Sequence, residues 1–313
     1  MDINTYKPRK KIDNKHLLTL MDYSASEICE ILKLAQELKH RLKKGKPHRY
    51  LKDKTIAMIF AKSSTRTRVS FEQGIRQLGA HPIFLSSNDI QLGRGEPVAD
   101  TVRTLERYNI DGIMIRTFKQ SDLHELATHG TIPIINGLTD DYHPCQALAD
   151  LLTVFEHFGK LEGIKMVYFG DGNNVAHSLM IAGAKLGMEV VICCPKGFEP
   201  QPEITAATQN FGNVTVTDDI ALAAKDAHVL YTDVFFSMGQ ENDTEKRNAL
   251  MPYQVNDAVM DKANANAIFM HCLPAKRGEE VTAEVIDGPR SVVFEQAENR
   301  LHAQKAVMAL LLR

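Results

Sequence analysis

The chain has 313 residues, 44% hydrophobic and 24% charged, with a formal net charge of −2. This is the make-up of a globular protein long enough for two cored domains. It excludes a basic field that would recruit nucleic acid or an anionic membrane surface, so no nucleic acid and no membrane partner is expected. No stretch approaches the length of a membrane span. The basic run 7–11 has no apolar segment after it and does not read as a secretory signal. Five cysteines, at positions 29, 145, 193, 194 and 272 and without a C-x-x-C pair, point to reduced thiols in the cytoplasm rather than a disulfide framework or a zinc site.

In chain order, Ser24 and Glu27 have capping-box spacing, and Ile28, Ile31, Leu32, Ala35, Leu38 and Leu42 then recur on one helical face. Strand-like runs follow at 55–60, 82–85, 112–115 and 132–135, separated by helical runs at 69–78, 100–108 and 122–129. A helix over about 146–158 opens a second series. Its strands are expected at 165–169, 189–194, 214–217, 229–232, 268–270 and 291–294, and its helices at 175–186, 203–211, 257–263 and 296–312. Alternating strands and helices imply an α/β fold with two doubly wound parallel-sheet domains, 1–145 and 146–313. The polar stretch 240–247 reads as an exposed, mobile loop. There is no fixed-period repeat.

Open parallel sheets bind ligands beyond the carboxyl ends of their strands. The residues with chemistry fall there. After 55–60 comes Ser63-Ser64-Thr65-Arg66-Thr67-Arg68, at the start of a helix. Unsatisfied helical N–H groups and the helix dipole favour an anion at such an end, and arginine adds a fork matched to phosphate oxygens. Arg116 follows the strand 112–115. His143-Pro144-Cys145-Gln146 opens a helix, with Pro144 suited to its first turn and a donor and an amide one turn apart. Gly170-Asp171-Gly172-Asn173-Asn174 follows 165–169, but a G-x-G-x-x-G dinucleotide pattern fails at Val175. The next strand also ends in Cys194-Pro195-Lys196 rather than in a ribose-binding acid. Asp233 follows 229–232, with Ser237-Met238-Gly239 four residues on. His271-Cys272-Leu273-Pro274 follows 268–270, and Arg300 lies in the closing helix. Taken singly, Arg116 and Arg300 are surface arginines, His143 is structural, Asp233 is a cap and Cys272 is a small buried hydrophobe. The order of the whole set is what carries information.

That set resembles the aspartate/ornithine carbamoyltransferase family over nearly the whole chain. Ser-Thr-Arg-Thr-Arg and His-Pro-x-Gln are shared across it. Gly170–Asn174, Asp233 with Ser237-Met238-Gly239, and His271-Cys272-Leu273-Pro274 are of the ornithine type. The resemblance implies an active site in a cleft between the two domains, with a closing helix over about 296–313 that packs back on the first. It implies that Ser64, Thr65, Arg66 and Thr67 hold the phosphate of carbamoyl phosphate. Gln91, Arg116, His143, Gln146, Cys272, Leu273 and Arg300 would contact the rest of that molecule, and Asn174, Asp233, Ser237 and Met238 would bind ornithine. Arg116, His143, Asp233 and Cys272 are the expected catalytic residues. No cofactor and no metal are expected. A homotrimer, or an assembly of trimers, is implied, with the loop 88–95 near a subunit boundary. One departure stands out: the family's usual Trp two residues after Asp233 is here Phe235, and the chain has no Trp. Phe235 keeps an aromatic surface and lacks the indole N–H.

The implied reaction is attack by the δ-amine of ornithine on the carbonyl of carbamoyl phosphate, giving citrulline and phosphate. Thr67, Arg116 and His143 are expected to stabilise the carbonyl oxygen. Alternatives are the same chemistry on putrescine, lysine, N-acetylornithine or aspartate, a Rossmann-type dehydrogenase, and a non-catalytic anion-binding module.

Overall fold

The computed structural model describes residues 3–4, 6–8, 11–91, 95–236 and 243–313. Nine strands and twelve α-helices are named along them: α1 (Ala25–Lys43), β1 (Thr55–Phe60), α2 (Thr65–Gln77), β2 (His81–Ser86), α3 (Val98–Arg107), β3 (Gly112–Arg116), α4 (Gln120–His129), β4 (Ile134–Leu138), α5 (Pro144–Phe158), β5 (Lys165–Phe169), α6 (Asn174–Lys185), β6 (Glu189–Cys193), α7 (Pro202–Gln209), β7 (Val214–Thr217), α8 (Ile220–Ala224), β8 (Val229–Thr232), α9 (Thr244–Leu250), α10 (Asp257–Met260), β9 (Ile268–His271), α11 (Ala283–Ile286) and α12 (Val293–Leu311). Two compact units result. One comprises residues 5–152 and 299–313, the other residues 1–4 and 153–298.

The first unit is built on a parallel sheet of order β2-β1-β3-β4. β1 and β3 are buried almost throughout, as strands covered on both faces must be, whereas the edge strand β2 is only half-covered. Ala57, Ile59, Ile113, Ile115, Leu123, Leu126 and Ile134 form its core. The end of α12 belongs to this unit, which agrees with the expected return of the closing helix. Lys39 donates to Asn299 at 2.7 Å, and Lys305 to Gln77 at 2.8 Å.

The second unit has a parallel sheet of order β7-β6-β5-β8-β9, over a core that includes Val167, Phe169, Val191, Leu230, Phe235 and Phe269. Strand order reverses between β1 and β3 in the first sheet and between β5 and β8 in the second. The loops leaving adjacent strands diverge at such a point and open a crevice at their carboxyl ends. Each crevice therefore lies where the sequence places its polar loops.

Several boundaries differ from the sequence reading. α2 begins at Thr65 rather than at 69, because Ser64 accepts from the Thr67 N–H and caps the helix four residues earlier. The expected strand 291–294 is a single bridge, Phe269 to Ser291, after which the chain turns into α12 at Val293. Of the polar stretch 240–247, residues 240–242 lie outside the described residues, and 244–247 are helical rather than loop. Asp243 caps α9, and Lys246 is buried in an ion pair with Asp171 at 2.5 Å. Among the described residues no helix is long and apolar enough to cross a membrane.

All five cysteines are unbridged. Burial pushes the thiols of Cys145, Cys193 and Cys194 up to about 12. A thiol raised in the folded state stabilises fully below its ordinary 9.0, and that contribution is lost as pH rises toward 12. Burial acts oppositely on Lys305, lowering it from 10.5 to about 8, so its contribution grows with pH over that interval. Three thiols outweigh one amine. Urea denaturation under reducing conditions should show stability lower by about 3 kcal/mol at pH 10.5 than at pH 8. Unchanged or higher stability at the alkaline pH would refute this.

Candidate active site

In the first unit the site is assembled around Arg300. Its guanidinium is buried and donates to Thr67 Oγ1 at 3.0 Å and to Gln146 Oε1 at 2.7 Å, and lies 3.4 Å from His143 Nε2. A planar fork suits this work, since one terminal nitrogen serves α5 and the other serves α2. Gln146 is held from its other side, its NH2 donating to Asp150 at 2.8 Å. The amide is thereby fixed, and Oε1 keeps a second lone pair for a ligand N–H. His143 has its pKa pushed well below the ordinary 6.5, by burial first and then by Arg300 and Arg116. The imidazole is thus neutral, and with Nε2 turned toward a guanidinium its proton resides on Nδ1.

Ser64, Thr65, Arg66 and Thr67 form the cap and first turn of α2. Thr67 is buried against Arg300, and Ser64 accepts from the Thr67 N–H at 3.2 Å. The N–H groups of Thr65 and Arg66 have no helical acceptor, as the first turn requires. The Arg66 side chain is half-buried and has no ion pair or hydrogen bond among the described residues. Arg68 differs: it lies over the Phe84 ring at 3.8 Å and 3.6 Å from Glu72. Arg116 ends β3, beside β1, where its carbonyl accepts from Ala61 at 2.8 Å. Gln91 lies exposed beyond β2 and makes no hydrogen bond with the Arg300 group among the described residues.

The second unit gathers Asn174, Asp233, Cys272 and Leu273 at the ends of β5, β8 and β9. Ser237 and Met238 lie outside the described residues. Asp233 accepts from Cys272 Sγ at 2.9 Å and from the Val234 N–H at 2.8 Å on Oδ1, and from Asn173 Nδ2 at 3.2 Å on Oδ2. His271 Nδ1 accepts from the Leu273 N–H at 2.8 Å, so Nε2 carries the proton, 3.2 Å from the buried Glu280 carboxylate. Asp233, His271 and Cys272 bring potential metal-ligating atoms within 4.8 Å of one another. With both ring nitrogens of His271 committed, the group reads as a hydrogen-bonded acid–thiol pair on a fixed support. Two glycines explain the loop after β5. Gly170 has φ +124°, and a side chain on Gly172 would strike the backbone of 199–200. Phe235 is buried in the core, with its ring where a Gly170 side chain would stand. The departure from Trp is therefore a change of packing beneath the loop.

Asp150, Asn173 and Glu280 are missed by sequence reasoning. Asp150 has a signal, one helical turn after Gln146. Asn173 hides beside Asn174 as a cap, and nothing in the spacing links Glu280 to His271.

Two parallel α/β sheets, one beside a cationic helix N-terminus and the other carrying a hydrogen-bonded acid–thiol pair, suit a two-substrate group-transfer enzyme. Residues 15–156 match the carbamoyl-phosphate-binding domain of aspartate/ornithine carbamoyltransferases, and residues 162–311 match their aspartate/ornithine-binding domain. The ornithine carbamoyltransferase of Oceanobacillus iheyensis is 55% identical over 97% of this chain and 96% of its own. An anabolic ornithine carbamoyltransferase of Pyrococcus furiosus is 53% identical, over 95% of this chain and 96% of its own. A solved ornithine carbamoyltransferase structure from that organism superposes with a TM-score of 0.92 at 54% identity, covering 95% of this chain and 97% of the other. The chain belongs to the aspartate/ornithine carbamoyltransferase family.

Proposed function

We propose that this enzyme transfers the carbamoyl group of carbamoyl phosphate to the δ-amine of L-ornithine, giving L-citrulline and phosphate in arginine metabolism. The observation that carries the acceptor is sequence identity of 52–55% to ornithine carbamoyltransferases over 95–97% of the chain. The direction is biosynthetic, as in the relative named anabolic. Residues 1–145 serve carbamoyl phosphate and 146–313 serve ornithine, with the closing helix bringing Arg300 to the first substrate. Ser64, Thr65, Arg66 and Thr67 take the phosphate, supported by the open N–H groups of α2 and the unengaged Arg66. Thr67, Arg116 and neutral His143 face the carbonyl oxygen, where negative charge grows during attack. Gln146 Oε1 accepts from the carbamoyl NH2, and Cys272 and Leu273 contact the carbamoyl group. Asn174, Asp233, Ser237 and Met238 hold ornithine.

An alkylammonium titrates at roughly 10.4, so the amine must shed a proton before attack. Asp233, hydrogen-bonded to Cys272, is the group that receives or directs it. The amine nitrogen then bonds to the carbonyl carbon, the carbon–oxygen bond to phosphate breaks, and phosphate leaves with the pair, taking up the second proton that the nitrogen sheds. Alignment of both substrates supplies much of the acceleration. The five unbridged cysteines suit the cytoplasm. Gln91 is assigned to a carbamoyl phosphate site near a subunit boundary of a homotrimer.

A colorimetric ureido assay with ornithine, lysine, putrescine, N-acetylornithine and aspartate tests the acceptor. Ornithine should be preferred by about a hundredfold or more in kcat/KM. Faster carbamoylation of any other amine would reassign it.

A further inference from the structure

We infer that Asn173 is a positioning residue that turns the Asp233 carboxylate so that one lone pair of Oδ2 is left for the ornithine amine; this rests on the reading of Asp233 as the amine's partner. The orientation of the Asn173 amide is fixed on three sides. Oδ1 accepts from Tyr168 Oη at 3.2 Å, from the Val175 N–H at 2.9 Å and from the Ala176 N–H at 3.3 Å. A flipped amide would set its NH2 against three donors and its oxygen against a carboxylate. Nδ2 must therefore donate to Asp233 Oδ2, at 3.2 Å. The Tyr168 ring is itself buried and stacked on Tyr231, with centroids 5.7 Å apart. Burial, with Asp233, Cys272 and Asp171 adding to it, raises this phenol well above its usual range, so it stays a donor.

The consequence is a count of lone pairs. Oδ1 of Asp233 is used twice, by Cys272 Sγ and by the Val234 N–H. Oδ2 is used once, by Asn173, and retains one acceptor position. An incoming amine therefore meets Oδ2, on the side that Asn173 defines. Among the described residues, the charged and titratable groups around this carboxylate are Cys272 and His271 from β9 and its loop, Tyr168 from β5, and Asp171. Asp171 is held by Lys246 of α9 at 2.5 Å, which neutralises the second acid of the loop.

Capping and positioning can be separated, because Asp and Ser also cap helices. Asn173→Asp keeps the cap and suits the helix dipole, but replaces the donor facing Asp233 with a carboxylate. Two carboxylates at that separation share a proton. The acid limb of kcat/KM for ornithine should move up by about one pH unit or more, and KM for ornithine should rise about tenfold. Carbamoyl phosphate affinity, by calorimetry, should be unchanged. A merely structural role would not displace the pH limb. Asn173→Ser keeps a cap without the donor and should raise ornithine KM several-fold with the same carbamoyl phosphate affinity; it decides the matter if Asn173→Asp does not fold. Wild-type acid limb and wild-type ornithine KM in folded Asn173→Asp would overturn the inference, as would a wild-type ornithine KM in Asn173→Ser. Asp233→Asn is the control. If it too leaves ornithine use unchanged, the reading of Asp233 has failed; if it alone impairs ornithine use, only the role of Asn173 has failed.

Discussion

Arg66→Ala is expected to weaken carbamoyl phosphate binding by about a hundredfold to a thousandfold, with the fold intact. The guanidinium lies in the first turn of α2 and has no ion pair or hydrogen bond among the described residues. Removing it strands no protein partner, and alanine is the better helix former. What is lost is a charge-assisted, bidentate contact to phosphate at a helix N-terminus, where donor geometry and dipole act together. A loss of about 3–4 kcal/mol corresponds to that range in Kd. Arg68→Ala is the matched control. Arg68 sits one helical turn from Ser64 but is spent on the Phe84 ring and Glu72, so its removal should leave the affinity unchanged. Calorimetric titration of both variants with carbamoyl phosphate, alongside thermal melts, makes the comparison. Wild-type affinity in Arg66→Ala, or equal losses in both variants, would remove the phosphate from this turn.

The contrast between Arg66 and Arg68 also marks where sequence reasoning reaches its limit. The apolar runs of β1, β3, β5, β8 and β9 are legible because strands covered on both faces must be continuously hydrophobic. The polar loops after them are legible because strand ends of open sheets are where ligands bind. The alternation of threonine and arginine suits an anion site, yet does not say which arginine would serve it. That depends on Phe84, sixteen residues on and brought alongside only by the pairing of β1 with β2. Arg300 looks like a solvated helix residue, because nothing local shows that Thr67, His143 and Gln146 converge on it. Lys246 misleads for the same reason: its polar neighbours suggest a loop, while its partner Asp171 lies 75 residues away in sequence. Contacts across sheets escape a linear reading, and most of the residues that hold the site in place are of that kind.

Asp233→Asn should lower kcat with ornithine by about 10²–10⁴-fold while carbamoyl phosphate binds as before. The substitution is nearly isosteric, so the pocket keeps its shape. What changes is the chemistry of one oxygen. In the wild type both carboxylate oxygens are acceptors, for the Cys272 thiol and the Val234 N–H on one and the Asn173 NH2 on the other. An asparagine must turn an NH2 toward one of these groups, and it cannot take a proton from an alkylammonium. If the NH2 faces Asn173, two amide donors oppose each other and the open acceptor position disappears. If it faces Val234, the backbone N–H loses its partner at a cost of about 1 kcal/mol. Either arrangement leaves the folded domain standing but removes the anionic acceptor for the amine. Raising the pH should then recover part of the rate, because a larger share of ornithine arrives already neutral. The variant's kcat/KM should therefore climb with pH beyond the point where the wild type has levelled. The ligand sites of the first unit contain no atom of Asp233, so carbamoyl phosphate affinity is the internal standard. Equal loss of both ligands would indicate misfolding, and an unchanged ornithine rate would assign the proton to phosphate or solvent instead.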